Sequence, residues 1–263
     1  MTGILKPVID VQSNPVADMM PTYFSAEPFQ SLVAYARSAD AHTLNEYNQD
    51  AFAIRASQQR FVAVVADGVG QSFRGDVAAM AVAQSMMNVL WHTESLADHD
   101  IRDVLYHTLI ELAPKVSSII GDIDLSHYPT MFREALMQRR AFGSESVFVA
   151  LVIDIPLNVM RCFWLGDCRI RIYDTANNHV PIDPATFQTM ERWSSTRRIH
   201  GNMHTLQMPV TQLSRVVLYS DGLHTLDDLT LIQPDMRDII TTHMQNSHTS
   251  PESDDITIIM VDV

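Results

Sequence analysis

The stretch Phe61–Val82, "FVAVVADGVGQSFRGDVAAMAV", changes its character twice in twenty-two residues. From Phe61 to Ala66 it is a continuous apolar run, the pattern of a strand buried on both faces. The run stops at Asp67 and crosses Gly68, Gly70 and Gly75. It then enters a segment in which Val82, Met86, Val89 and Leu90 recur at helical spacing, with Asp76 placed to cap its first turn. Strand, glycine-rich loop and helix serve two different chemistries. The loop can cradle a phosphate on its backbone N–H groups, or it can present the Asp67 carboxylate to a cation.

The flanking sequence sets the fold around this unit. "SLVAYARSAD" (31–40), "DAFAIRASQ" (50–58) and "RFVAVVA" (60–66) read as strands, with "SQQR" (57–60) as a hairpin turn. After the helix at 76–90, a second apolar stripe from Ile101 to Ile120 predicts a longer helix, and residues 128–140 a shorter one. Strands return at 146–154, 158–167, 168–174, 215–221 and 255–263, with a helix near 234–246 before the last. Strands, paired helices and strands again predict an α+β layered domain with mainly antiparallel sheets. Residues 1–30 carry four of the twelve prolines and no periodicity, so an irregular leader is expected there, with the domain proper at 31–263. Residues 175–212 show no clear element and are expected to form a flap over a site.

Bulk properties narrow the function. Eighteen Lys+Arg against 31 Asp+Glu give a net charge of −13, which argues against nucleic acid or an anionic membrane as partner. No apolar segment reaches the length of a membrane span, and no signal peptide is legible. The two cysteines, Cys162 and Cys168, lack metal-site spacing and are expected as buried free thiols in a reducing, cytoplasmic compartment.

Three apolar runs end alike, in "VVADG" at Asp67, "FWLGD" at Asp167 and "VLYSDG" at Asp221. Two more acids precede strands: Asp50 before "AFAI", and Asp254–Asp255 before "ITIIMV". In an antiparallel sheet the end of one strand lies beside the start of its neighbour. Asp50, Asp67, Asp221 and Asp254 are therefore expected on one rim. Four carboxylates so close would repel and hold protons. Two divalent cations would cancel their charge, and all-oxygen ligation suits Mg²⁺ or Mn²⁺. Gly68 and Gly222 would let backbone approach an ion. Taken singly, each Asp-Gly is also an ordinary turn signal.

Five motifs in order, "NQDAF" (48–52), "VADGVG" with "RGDVAA" (65–70 and 74–79), "FWLGDCR" (163–169), "LYSDGL" (218–223) and "DDIT" (254–257), resemble the metal-dependent protein phosphatase 2C family, in its bacterial type. The resemblance runs from about Leu32 to Val263. It implies a four-layer α-β-β-α sandwich: two antiparallel sheets flanked by helix pairs. It further implies that Asp67 bridges two Mn²⁺ or Mg²⁺ ions, that the Gly68 carbonyl reaches one through water, and that Asp50, Asp221 and Asp254 complete the site. Asp167, Arg169 and Asp255 take supporting roles. The implied reaction is hydrolysis of phosphoserine or phosphothreonine in a protein, a kinase or a kinase's target, by a monomeric enzyme.

The departures matter. Where relatives often grip the phosphate with Arg, this chain has Asn45, which lacks a charged fork. Arg74 and Arg140 are the candidates to replace it. "QRRAFGSESV" (138–147) places Arg139 and Arg140 where relatives carry an acid for a third metal, so a third cation is not expected. A catalytically weak relative acting as a binding or regulatory module is the alternative. The phosphate-cradle reading of the opening stretch finds no G-x-G-x-x-G and no P-loop lysine. The eleven histidines read as scattered, and His200 and His204 lack a zinc-helix context.

Overall fold

In a computed structural model, the run after Phe61 is β5 (Arg60–Gly68), paired with β4 (Ala51–Ala56) on one side and β6 (Glu145–Asp154) on the other. The structure describes residues 6–93, 98–229, 231, 236–250 and 253–263. Successive β5 side chains point to opposite faces. Val62, Val64 and Ala66 join one core, and Phe61, Ala63 and Val65 join another. That double burial is why the sequence shows no polar alternation.

The first sheet also holds β1 (Ile9–Gln12), β7 (Val159–Leu165), β10 (Arg192–Ser194), β11 (Arg198–His200) and β12 (His204–Met208). The second runs in the order β2 (Met19–Ala26), β3 (Phe29–Ala36), β14 (Ile256–Asp262), β13 (Leu213–Tyr219), β8 (Arg169–Asp174), β9 (His179–Val180). All strand pairings among the described residues are antiparallel.

Helices α2 (Gly75–His92) and α3 (Asp98–Gly121) cover the outer face of the first sheet through Val82, Met86, Leu90, Leu105 and Leu109. Helix α5 (Met236–Ser247) covers the second sheet through Met236, Ile240 and Met244, beside a short 3₁₀ stretch at Asp221–Asp228. The layers therefore run α-β-β-α, thinner on the α5 side. Helix α1 (Ala39–Leu44) leads from β3 toward the site, and α4 (Thr130–Phe142) buries none of its residues fully.

Three expectations are corrected. The leader supplies two edge strands, β1 against β4 and β2 against β3. Its prolines misled because Pro21 sits in an edge strand, at a register irregularity between Met19 and Thr22, where a missing N–H costs little. The 175–212 stretch carries four short strands, β9 to β12, joined by turns: β10 extends the edge beside β6, and β12 pairs with β7 over its whole length. Its strands of two to five residues are too short to show a period. Trp193 within it is core, wholly buried, with its indole N–H donating to the Leu109 carbonyl at 2.8 Å. Finally, Arg74 and not Asp76 is the cap residue of α2. Residues 1–5 of the leader and 234–235 of the expected last helix lie outside the described residues.

Candidate metal centre

Register places the acids. Ala51 pairs with Ala66, so Asp50 and Asp67 are the next residues along, at the same end of the first sheet. In the second sheet Tyr219 pairs with Ile258, and the Ser220 N–H donates to the Thr257 carbonyl at 3.0 Å. Asp221 and Asp254 thus leave that sheet at a common end. The antiparallel rule operates once in each sheet, and stacking brings the two pairs to one cleft of about 350 Å³. Asp67, Asp167, Asp221 and Asp254 line it, while Asp50 lies beneath at 2% exposure.

The electrostatics follow from crowding. Burial first, then the charges of Asp50, Asp221, Asp254 and Asp167, raises Asp67 well above the ordinary carboxylate range. Burial and then the Asp255 charge do the same to Asp50. Burial, then Asp254 and Asp167, pushes Asp221 up to about 6. Asp167 is raised too, chiefly by burial. Asp50 Oδ2 is buried without a hydrogen-bond partner, a costly state for a carboxylate oxygen. Repelling, all-oxygen donors with an orphaned buried lone pair are what a hard divalent cation satisfies, so these residues fit Mg²⁺ or Mn²⁺.

Supporting contacts fix the acids. Asp255 Oδ1 accepts from the Ser38 N–H at 2.7 Å and Oδ2 from the Gln49 N–H, which ties β14 to α1 and to the approach to Asp50. At Gly68 and Gly222 the space a Cβ would take is filled by neighbouring backbone. A Cβ on Gly68 would sit 2.3 Å from the Gly75 carbonyl carbon, and one on Gly222 would sit 2.0 Å from the Asp255 oxygen. The loop from Val69 to Arg74 is pinned to the α4–β6 junction. The Val69 N–H donates to the Glu145 carbonyl at 3.0 Å, and the Ser144 hydroxyl to the Arg74 carbonyl at 2.6 Å.

The three residues weighed for phosphate binding lie away from the cleft lining. Arg74 takes a left-handed backbone (φ 54°) and commits its guanidinium to both oxygens of Asp76, at 2.7 and 2.6 Å, beside the Tyr47 ring. Arg140 donates to the Gly121 and Ile123 carbonyls. Asn45 terminates α1 in a left-handed conformation. The arginine that does line the cleft is Arg192, which lies 3.2 Å from Glu145. It was hidden in the stretch expected to be a flap, and no motif marks it. Away from the rim, and among the described residues, Asp18, His42 and His248 bring three candidate ligand atoms within 4.8 Å of one another. Cys162 and Cys168 are buried free thiols, as expected.

The family description "Protein phosphatase 2C" matches residues 40–256 of the chain. No curated protein matches the sequence. Among solved structures, serine/threonine phosphatase Stp1 from Staphylococcus aureus superposes with a TM-score of 0.61 at 13% identity, covering 93% of this chain and 98% of that one. The Mycobacterium tuberculosis serine/threonine phosphatase PstP/Ppp gives 0.58 at 14% identity, covering 89% and 98%. RsbX, solved in complex with magnesium, gives 0.54 at 15% identity, covering 92% and 99%. At these identities the likeness concerns the fold. No helix among the described residues is long and apolar enough to cross a membrane.

Proposed function

The chain belongs to the protein phosphatase 2C family, and on that premise we propose that it is a metal-dependent phosphatase of phosphoserine and phosphothreonine in proteins. The observation that carries this reading is the convergence of Asp50, Asp67, Asp221 and Asp254 on one acidic cleft with an unpartnered buried oxygen. The charge of these four carboxylates is one that two divalent cations would cancel, and Asp67, crowded by the other three, is the residue the two would have in common. Asp50, Asp221 and Asp254 would complete the set that holds these ions, together with the Gly68 carbonyl. When bound, the pair supplies a water of lowered pKa and Lewis-acid stabilisation for in-line attack on phosphorus.

The chain's own residues do the rest. Arg192 offers a guanidinium fork at the cleft wall for the substrate's phosphoryl oxygens, where its present partner Glu145 can be exchanged for phosphate. Arg169, whose guanidinium donates to the Asp167 carbonyl, steadies the Asp167 turn. No residue is assigned to a third metal, since Glu145 is engaged by Arg192 and Arg140 faces carbonyls. The catalytic unit extends from β1 to Val263, wider than residues 31–263. The substrate is a phosphoprotein, a kinase or a kinase's target, and the enzyme acts as a cytoplasmic monomer.

The alternative of a catalytically weak module rests on the missing phosphate arginine and on the third cation that is not expected; Arg192 in the cleft weakens the first of these grounds. The test is phosphate release from phosphothreonine and phosphoserine peptides by metal-stripped protein, with and without added Mn²⁺. Mn²⁺-dependent release supports the reading; no release at any Mn²⁺ concentration overturns it.

A further inference from the structure

Three segments distant in sequence meet at a second place. Asp18 precedes β2, His42 lies in α1 and His248 follows α5. His42 Nε2 is 2.6 Å from Asp18 Oδ2, and His248 Nε2 is 3.8 Å from the same oxygen. The two imidazole rings lie edge to face with centroids 4.6 Å apart.

The cluster is organised and not incidental. Pairing of Met19 with Tyr35 brings Asp18 beside the end of β3. There the Arg37 backbone N–H and its Nε both donate to Asp18 Oδ1, at 3.1 and 3.2 Å. With Oδ1 so occupied, Oδ2 is turned toward the two histidines. One imidazole can donate to Oδ2, but the second stands beyond hydrogen-bond reach at 3.8 Å. Were both rings protonated they would repel at this spacing. A cation shared by the three donors resolves the arrangement. Ligand bonds of about 2.0–2.2 Å in a tetrahedral site place donor atoms roughly 3.4 Å apart, and the two measured separations bracket that value.

We propose that Asp18, His42 and His248 form a binding site for a zinc-type divalent cation, separate from the aspartate rim, with the remaining coordination positions left to water. Two imidazoles and one carboxylate favour Zn²⁺ or Co²⁺, whereas the all-oxygen rim favours Mg²⁺ or Mn²⁺. The site also has a mechanical consequence. The Ala39 N–H at the start of α1 donates to Ser253 Oγ at 2.9 Å, next to Asp254. A cation joining α1 to His248 would therefore add a second tie between α1 and the chain leading to Asp254.

The test uses untagged, metal-stripped full-length protein carrying Asp67→Asn and Asp221→Asn, which disable the rim, titrated with Zn²⁺ against a chromophoric chelator. The expected result is one Zn²⁺ per chain, lost when His42→Ala and His248→Ala are added. No binding in the first protein, or equal binding in both, overturns the proposal. A second readout needs no substitution. In wild-type protein with excess Mg²⁺, Zn²⁺ should slow diethyl pyrocarbonate modification of His42 and His248 at least several-fold, read by peptide mass spectrometry, while His107 and His127 react as before. Unchanged modification of His42 and His248 overturns the site.

Discussion

Asp50 and Asp67 face one another across the β4–β5 ladder, one residue beyond the Ala51–Ala66 pair, and the charges that weigh most on each are those of other aspartates. Two carboxylates held this way by backbone register cannot relax apart without breaking the sheet. Asp221 and Asp254 leave the other sheet beyond its Tyr219–Ile258 pair and add their charge from that side. The fold thus builds the charge crowding into its hydrogen-bond pattern, and a cation is the simplest means of relieving it.

Arg192 is the first point at which this account departs from the sequence reading. If its guanidinium meets the phosphoryl oxygens, Arg192→Ala should raise KM for a phosphopeptide by about ten- to a hundredfold, a loss of roughly 1.5–3 kcal/mol for a charge-assisted contact. Arg74→Ala should leave KM within about twofold, because Arg74 is held by Asp76. Steady-state kinetics on both variants decide the matter; the reverse ranking would restore Arg74 as the phosphate ligand.

Gly68→Ala tests the packing beneath the site. The added methyl would lie 2.3 Å from the Gly75 carbonyl carbon and 2.8 Å from the Gln49 oxygen, so backbone must move. A cost on the order of 3 kcal/mol is expected for such overpacking, read as a lowered denaturation midpoint with loss of activity. Gly70→Ala, whose Cβ would meet nothing closer than 3.8 Å, should be tolerated. Equal effects would contradict the contact.

Asp154 tests a buried pair far from the chemistry. Its Oδ2 accepts from Arg60 Nε at 2.8 Å, while Arg60 also donates to the Trp91 and Thr93 carbonyls at the end of α2. Asp154→Ala strands the arginine and should cost about 3–5 kcal/mol in urea unfolding. Activity measured well below the new midpoint should be retained. A loss under 1 kcal/mol would show that water reaches Arg60.

The acidic rim sets a pH dependence in metal-free protein. Asp221 rises in the fold from 3.8 to about 6, so the fold favours its protonated form. That contribution is fully present below about pH 4 and is lost as pH rises through about 6. Relative to wild type, Asp221→Asn should therefore gain on the order of 2 kcal/mol between pH 4 and pH 7. Parallel urea titrations at the two pH values check this; a difference independent of pH would contradict the crowding.

The strands at the site were legible because β4, β5, β13 and β14 are largely buried apolar runs that an acid precedes or follows. The rim itself could be argued from antiparallel geometry without coordinates. What escaped the sequence shares one cause, the dependence on contacts between distant segments. β1 and β2 are edge strands whose prolines masked them. Arg192 lies on a three-residue strand whose position comes only from pairing with β6. Arg74 sits within the Phe61–Val82 stretch, yet a left-handed backbone and Asp76 turn it aside. His42 and His248 looked scattered because 206 positions separate them and only Asp18, brought in by β2, joins them.

The most direct measurement is a calorimetric titration of metal-free protein with Mn²⁺ in a His42→Ala/His248→Ala background, so that only the aspartate rim can bind, run alongside phosphopeptide hydrolysis on the same samples. The account predicts two Mn²⁺ per chain, with hydrolysis rising as they bind, and loss of both upon Asp67→Asn. Two ions bound with unchanged binding and turnover in Asp67→Asn, or hydrolysis that persists in chelator, would contradict it.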